Sequence, residues 1–228
     1  MKSRELDERE LEILGKIKDS IYAMDLTWKS FLFFYGESKE RATFFGEVSP
    51  QVSSLLANLL WDATLTRIRA LTDGVKTGKN FNLSIGHLVL FCGGDQRSAY
   101  DGKLETVKKR CENARKYATK HIAHFDLRTK LNPDEVSVNR RQTTEAVDAI
   151  WDFLFGFHVE VLDTHLCRDV VRASPTEENF LELLYLGELA KKKREEEFVE
   201  RFMAQRDPFM PLPSPREGLP KWLWKEQS

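Results

Sequence analysis

Between Val52 and Leu71 the apolar residues Val52, Leu55, Leu56, Leu59, Leu60, Ala63, Ile68 and Leu71 recur at intervals of three and four. That is the spacing of a helix with one buried face. Ser49-Pro50 supplies an N-cap and a proline at the first helical position, and Asp73-Gly74 ends the run. A helix this long must be covered, and the rest of the chain offers more helices to cover it. Leu104, Val107, Cys111, Ala114, Ala118, Ile122 and Phe125 form a second stripe. Val147, Ile150, Trp151, Leu154, His158, Val161, Leu162 and His165 form a third. No segment alternates cleanly with period two, and 12 Gly and 8 Pro are too few for a sandwich of short, turn-linked strands. The expected class is all-α, a bundle of five or six helices.

The remaining elements follow from local signals. A first helix is expected from Glu5 to about Tyr35, with a possible break near Met24, followed by a polar bridge over 36–49. Val75–Asn80 reads as a loop. Asn82-Leu83-Ser84 opens a short helix to about Phe91, closed by Gly93-Gly94. The second-stripe helix is expected from Leu104 to about Phe125, a loop over 126–140, and the third from near Thr143. Ser174-Pro175-Thr176-Glu177 caps a last helix in which LELLYLGELA gives way to KKKREEEF. Five prolines after residue 206 forbid a continuous helix there. The expected division is one domain over 1–206 and an extended Pro-rich tail over 207–228.

Lys and Arg total 35 against 36 Asp and Glu, a net charge of −1, which excludes a chain basic throughout. Three cysteines, Cys92, Cys111 and Cys167, show no CxxC spacing, so neither a disulfide framework nor a cysteine zinc site is expected. The first twelve residues are charged and lack the apolar core of a secretion signal. No apolar run approaches the roughly 20 residues that cross a bilayer. A cytoplasmic protein without membrane contact is the expectation. The charge is uneven, however. Lys103–Arg141 holds eleven Lys and Arg against five acids, a local excess suited to phosphate-bearing ligands.

Within that segment, KYATKHIAHFDL is the most chemically loaded stretch. At about 100° per residue an unbroken α-helix puts Asn113, Tyr117, Lys120 and His124 on one polar face. His121 then falls on the border with the apolar stripe, and Arg115 points away from His124. Lys120 and His124, four apart, are placed to share a ligand. Histidine exchanges protons near neutral pH, and a nearby cation stabilises charge developing on a phosphate. The pair is the minimum needed to cleave RNA through its own 2′-hydroxyl, with no metal or other cofactor. The inert reading is a histidine bonded to a neighbouring loop beside a solvated lysine.

The helix LLANLLWDATLTRIRALTDG, the Asn-Leu-Ser start of the next helix and the Ala-His-x-Asp block at 123–126 together resemble the HEPN superfamily. The likeness is closest to AbiU-type proteins of abortive infection and spans roughly residues 50–165. It implies a helical bundle, commonly a homodimer with the motif helices facing each other. Many members are metal-independent ribonucleases, often toxins or antiphage effectors, some with a partner antitoxin. Their signature is an Arg four to six positions before a His. Here the family His maps to His124, and the residues four to seven positions earlier are Lys120, Thr119, Ala118 and Tyr117, none of them Arg. Either Lys120 takes the role without the bidentate fork of Arg, or Arg115 pairs with His121. The roles implied are His124 as acid/base, Lys120 or Arg115 on the phosphate, Asn113 and Tyr117 positioning substrate, and Asp126 orienting a ring nitrogen. The competing expectation is a catalytically silent helical dimer that uses the same groove to bind RNA, nucleotide or a protein.

Two other groups of residues carry chemistry of their own. His158 and His165, with His121, His124 and Asp126, could hold a metal, but hydrogen-bonded core or interface histidines fit the apolar face better. Arg69 and Asp73, four apart, read as an intrahelical ion pair.

Overall fold

The computed structural model describes residues 5–123, 136–168 and 176–204, apart from the side chain of Asp95. Among them are eight α-helices: α1 (Glu8–Phe31), α2 (Lys39–Val48), α3 (Pro50–Thr72), α4 (Gly86–Phe91), α5 (Gly94–Arg110), α6 (Glu112–Tyr117), α7 (Arg140–Glu160) and α8 (Thr176–Ala204). Two π-helical turns, π1 (Leu32–Gly36) and π2 (Ala118–Ala123), continue α1 and α6. The only strands among the described residues are β1 (Lys76–Thr77) and β2 (Asn80–Phe81), an antiparallel pair in register Lys76–Phe81, turned by Gly78 at φ 59°. The fold is all-α.

The chain divides into two compact units, 1–173 and 174–228. In the first, α1 packs along α3, α7 lies against α1 and α5, and α6 and π2 lie along α3. Ile17, Ile21, Met24 and Trp28 from α1 meet Leu65, Ile68 and Leu71 from α3 and Ile150, Leu154 and Phe157 from α7. Trp28 stacks on Phe31 at 5.1 Å, and its indole N–H donates to Thr144 Oγ1 at 3.2 Å. A buried indole is thereby satisfied as well as packed. The second unit contains one described element, the 29-residue α8.

Several sequence expectations need correction. α1 passes Met24, which is fully buried, without a break. The expected polar bridge holds α2, capped by Ser38 Oγ accepting from the Arg41 N–H at 3.1 Å. α3 starts at Pro50, but Ser49 makes no side-chain cap bond. Its N-terminal half is not the buried face expected: Val52, Leu55 and Leu59 are exposed, and burial begins in earnest at Thr64 and Leu65. α5 begins at Gly94, ten residues before the expected start. The helix is then interrupted at Cys111, although Leu104, Val107, Cys111, Ala114 and Ala118 are all buried as the stripe required. α7 ends at Glu160, so His165 lies beyond it and is exposed.

Candidate functional site

The sequence singled out a segment that the structure divides between two geometries. α6 is α-helical from Glu112 to Tyr117, and π2 follows from Ala118 to Ala123. A π turn bonds i to i+5 rather than i+4, so the 100° arithmetic fails beyond Tyr117. π-helix is rare, appears mostly as single turns within α-helices, and is frequent at functional sites.

Arg115 is anchored. Its Nη2 donates to Asp73 Oδ1 at 3.0 Å, while Arg69 Nε stands 4.0 Å from Asp73 Oδ2. Asp73 is the C-cap of α3, where a carboxylate opposes the helix dipole. Two guanidiniums offset that repulsion: the Arg69–Asp73 pair expected within α3 is present, and Arg115 adds a link from α3 to α6. Arg115 Nε is buried without a hydrogen-bond partner.

Tyr117 and His121 form the other fixed point. Their rings stack at 4.3 Å with 19° between planes. His121 Nε2 lies 3.0 Å from the Val136 carbonyl, which can only accept, so the proton sits on Nε2. The Tyr117 hydroxyl is pushed up in pKa, first by burial and then by the negative charge of Asp62 on α3. Arg115 therefore engages α3 at residue 73 while Tyr117 feels it at residue 62, about 16 Å away along the helix.

Asn113 and Lys120 are exposed, and Lys120 has no ion-pair partner among the described residues. Nearby, Lys116 bonds Glu112 at 2.6 Å and Lys108 bonds Glu105 at 2.7 Å, whereas Lys109 and Arg110 project into solvent. Tyr117 and His121 are thus brought together, Arg115 is held by α3, and Lys120 and Asn113 face outward. His124 and Asp126 lie outside the described residues.

Of the five residues weighed as a metal site, His124 and Asp126 lie outside the described residues. No group of three or more His, Cys, Asp and Glu side chains is arranged to hold a metal among the described residues. His158 is a core residue: Nδ1 bonds Thr164 Oγ1 at 2.9 Å, and burial, then the charge of Lys18, lowers its pKa to about 4.

One charged cluster escaped the sequence. Asp25, 4% exposed on α1, accepts from Arg168 at 2.9 Å and from Lys29 at 2.9 Å, and Arg168 also reaches Asp148 at 2.7 Å. A cleft of about 420 Å³ opens beside it, lined by Asp19, Tyr22, Leu26 and this cluster. Only the Asp25–Lys29 spacing of four was visible beforehand. Each cation in the cluster is met by a carboxylate, so its role is read as holding α1 to α7 and the segment that follows.

No helix among the described residues is long and apolar enough to cross a membrane. No family model, curated protein or solved structure matches the chain.

Proposed function

We propose that the chain is a HEPN-like protein acting on RNA, with α6 and π2 as the substrate-facing element. The observation that carries this reading is the π turn at 118–123. It coincides with the KHIAH segment and leaves Lys120 exposed and without an ion-pair partner among the described residues, while Tyr117, Arg115 and His121 are tied to the scaffold. A rigid base carrying an available cation is suited to a phosphodiester. His124, four residues on, supplies the acid/base function that the family resemblance implies. In that chemistry the imidazole takes the proton of the ribose 2′-hydroxyl, the 2′-oxygen attacks phosphorus, and the 5′-oxygen leaves with a proton returned to it. Lys120 stabilises the charge gathered on the phosphoryl oxygens, and no metal takes part. Arg115, committed to Asp73, acts as a positioning residue. The resemblance places such an activity in phage defence or a toxin system.

A second reading has its own observation in support. Arg115 and His121, the only Arg–His pair with the family spacing, both engage protein partners already. That favours a silent module binding RNA, nucleotide or a protein.

The test is cleavage of mixed RNA pools in EDTA, with binding followed by fluorescence anisotropy. Wild type should cleave and bind. His124→Ala should bind but lose cleavage about 100-fold or more, and Lys120→Ala should weaken both. Binding without cleavage identifies the silent module, and neither activity rejects the RNA reading.

A further inference from the structure

α5 and α7 run antiparallel. Lys103 Nζ bonds Glu160 at 2.6 Å at one end, and the Cys111 thiol donates to the Ala146 carbonyl at 3.8 Å toward the other. Between those contacts the two helices leave a groove of about 270 Å³. Its floor is apolar: Val107 comes from α5, and Ala149 and Phe153 from α7, all three buried. The space exists because α7 contributes only a methyl group at Ala149 and no side chain at Gly156. A Cβ added at Gly156 would meet no atom closer than 3.6 Å, so the groove is open above it.

The charges on the walls are of two kinds. Lys103 and Glu160 neutralise each other. Arg110 and Asp152 also line the groove, are exposed, and have no ion-pair partner among the described residues, each other included. A cation and an anion thus face one cleft from opposite helices without meeting.

That arrangement selects the occupant. A lone anion such as phosphate would face the Asp152 carboxylate, and a lone amine or metal cation would face the Arg110 guanidinium. A ligand that carries both charges close together satisfies each. The guanidinium fork takes a carboxylate through two parallel N–H bonds. Asp152 accepts from an ammonium, and so can Thr106 Oγ1, whose own hydrogen goes to the Gly102 carbonyl at 3.1 Å. We infer that the α5–α7 groove binds a free α-amino acid, its carboxylate on Arg110, its ammonium on Asp152 and an apolar side chain on the floor. The volume lies just below the roughly 300–1,000 Å³ of sites for drug-sized molecules, as a smaller ligand requires. This inference is independent of the RNA reading, because it uses neither α6 nor π2.

The test titrates the full-length chain with L-leucine, L-methionine and L-phenylalanine, read by calorimetry and by the amide NMR shifts of Thr106, Arg110, Asp152 and Gly156. At least one of the three should bind, with shifts centred on those residues. Its amide, which lacks the carboxylate, and its N-acetyl derivative, which lacks the ammonium, should each bind about ten-fold more weakly. Two variants then assign the charges. Arg110→Met should weaken the amino acid about ten-fold and leave its amide unchanged, whereas Asp152→Asn should weaken the amino acid and leave the N-acetyl derivative unchanged. Gly156→Leu replaces a poor helix former with a good one and fills the floor, so it should abolish binding with helix content by circular dichroism retained.

Failure of all three amino acids to bind overturns the inference. So does a bound amino acid whose amide and N-acetyl derivative bind equally well, or whose shifts lie away from the groove. Guanosine monophosphate is titrated in parallel, since its base presents acceptors on one edge and donors on another. Its binding in the groove in preference to every amino acid would overturn the inference in favour of a nucleotide.

Discussion

Asp73 receives Arg115 across 3.0 Å and has Arg69 at 4.0 Å on its other oxygen, so one carboxylate at the end of α3 fixes the start of the chemically loaded segment. Asp73→Ala removes the acceptor and leaves Arg115, whose Nε is already buried and unpartnered, with a further donor unused. Both side chains are 32% exposed, so water screens the pair. The expected loss of stability is about 1–2 kcal/mol. A double-mutant cycle with Arg115→Ala, read by urea unfolding, should give a coupling of about 0.5–1 kcal/mol. A coupling of zero would show that the link carries no energy.

Asp25 should be less forgiving. It is 4% exposed and is the shared acceptor of Arg168 and Lys29. Asp25→Ala leaves Lys29 and Arg168 beside a hole, but both are 36% exposed and Arg168 keeps Asp148, so the cost should be about 2–3 kcal/mol. Asp25→Asn, which keeps the volume, should cost less. Thermal unfolding of the two variants beside wild type decides it, and equal losses would contradict a role for the charge.

His158 gives the first unit a defined acid limit. Its folded pKa is about 4, against 6.5 for the free side chain, because burial and Lys18 disfavour the cation. Between those values the unfolded chain takes up a proton that the folded chain refuses. Stability should therefore be unaffected by His158 above about pH 6.5 and fall as the pH drops toward 4, by about 3 kcal/mol in all. In His158→Leu the slope of stability against pH across this window should shrink by the corresponding amount. An unchanged slope would place the titration elsewhere.

The three thiols should separate cleanly by reactivity. Cys111 is buried, and desolvation pushes its pKa up to about 12 despite the nearby charge of Arg115. Cys92 is buried and its thiol is directed at the Leu88 carbonyl. Cys167 is exposed. Native protein should therefore show one fast thiol toward a disulfide reagent, lost in Cys167→Ser, and three after denaturation. A second fast thiol would mean that the core around Cys111 or Cys92 opens on the timescale of the assay.

How far the sequence could be read depended on how local each signal was. The ends of α3, the buried stripe from Leu104 to Ala118 and the all-α class rest on spacing within one helix, and spacing is written in the chain. Ser38 was also a legible cap, and reading it would have turned the expected bridge into α2. The exposure of Val52, Leu55 and Leu59 was not legible, because periodicity says which residues share a face but not which turns of that face find cover. Asp25 and Arg168 lie 143 positions apart, beyond any spacing rule. The π turn at 118–123 demands no special composition, so Lys120 and His121 were placed by an angle that ceased to apply there. Tyr117 and His121 were singled out together, yet their stacking and the Val136 bond belong to tertiary structure.

The bond between His121 and Val136 has a consequence for how this protein can diverge. It joins positions fifteen residues apart, so the chain between them begins and ends at one fixed point on the scaffold. The entropy of closing a flexible loop grows only with the logarithm of its length, about 0.6 kcal/mol for a doubling. The cost of holding these two positions together therefore depends little on their separation in sequence, and the bond itself ties the end of π2 to the chain that leads into α7. A lineage that keeps an imidazole at 121 and the carbonyl at 136 keeps π2 and the approach to α7 together, whatever else it exchanges.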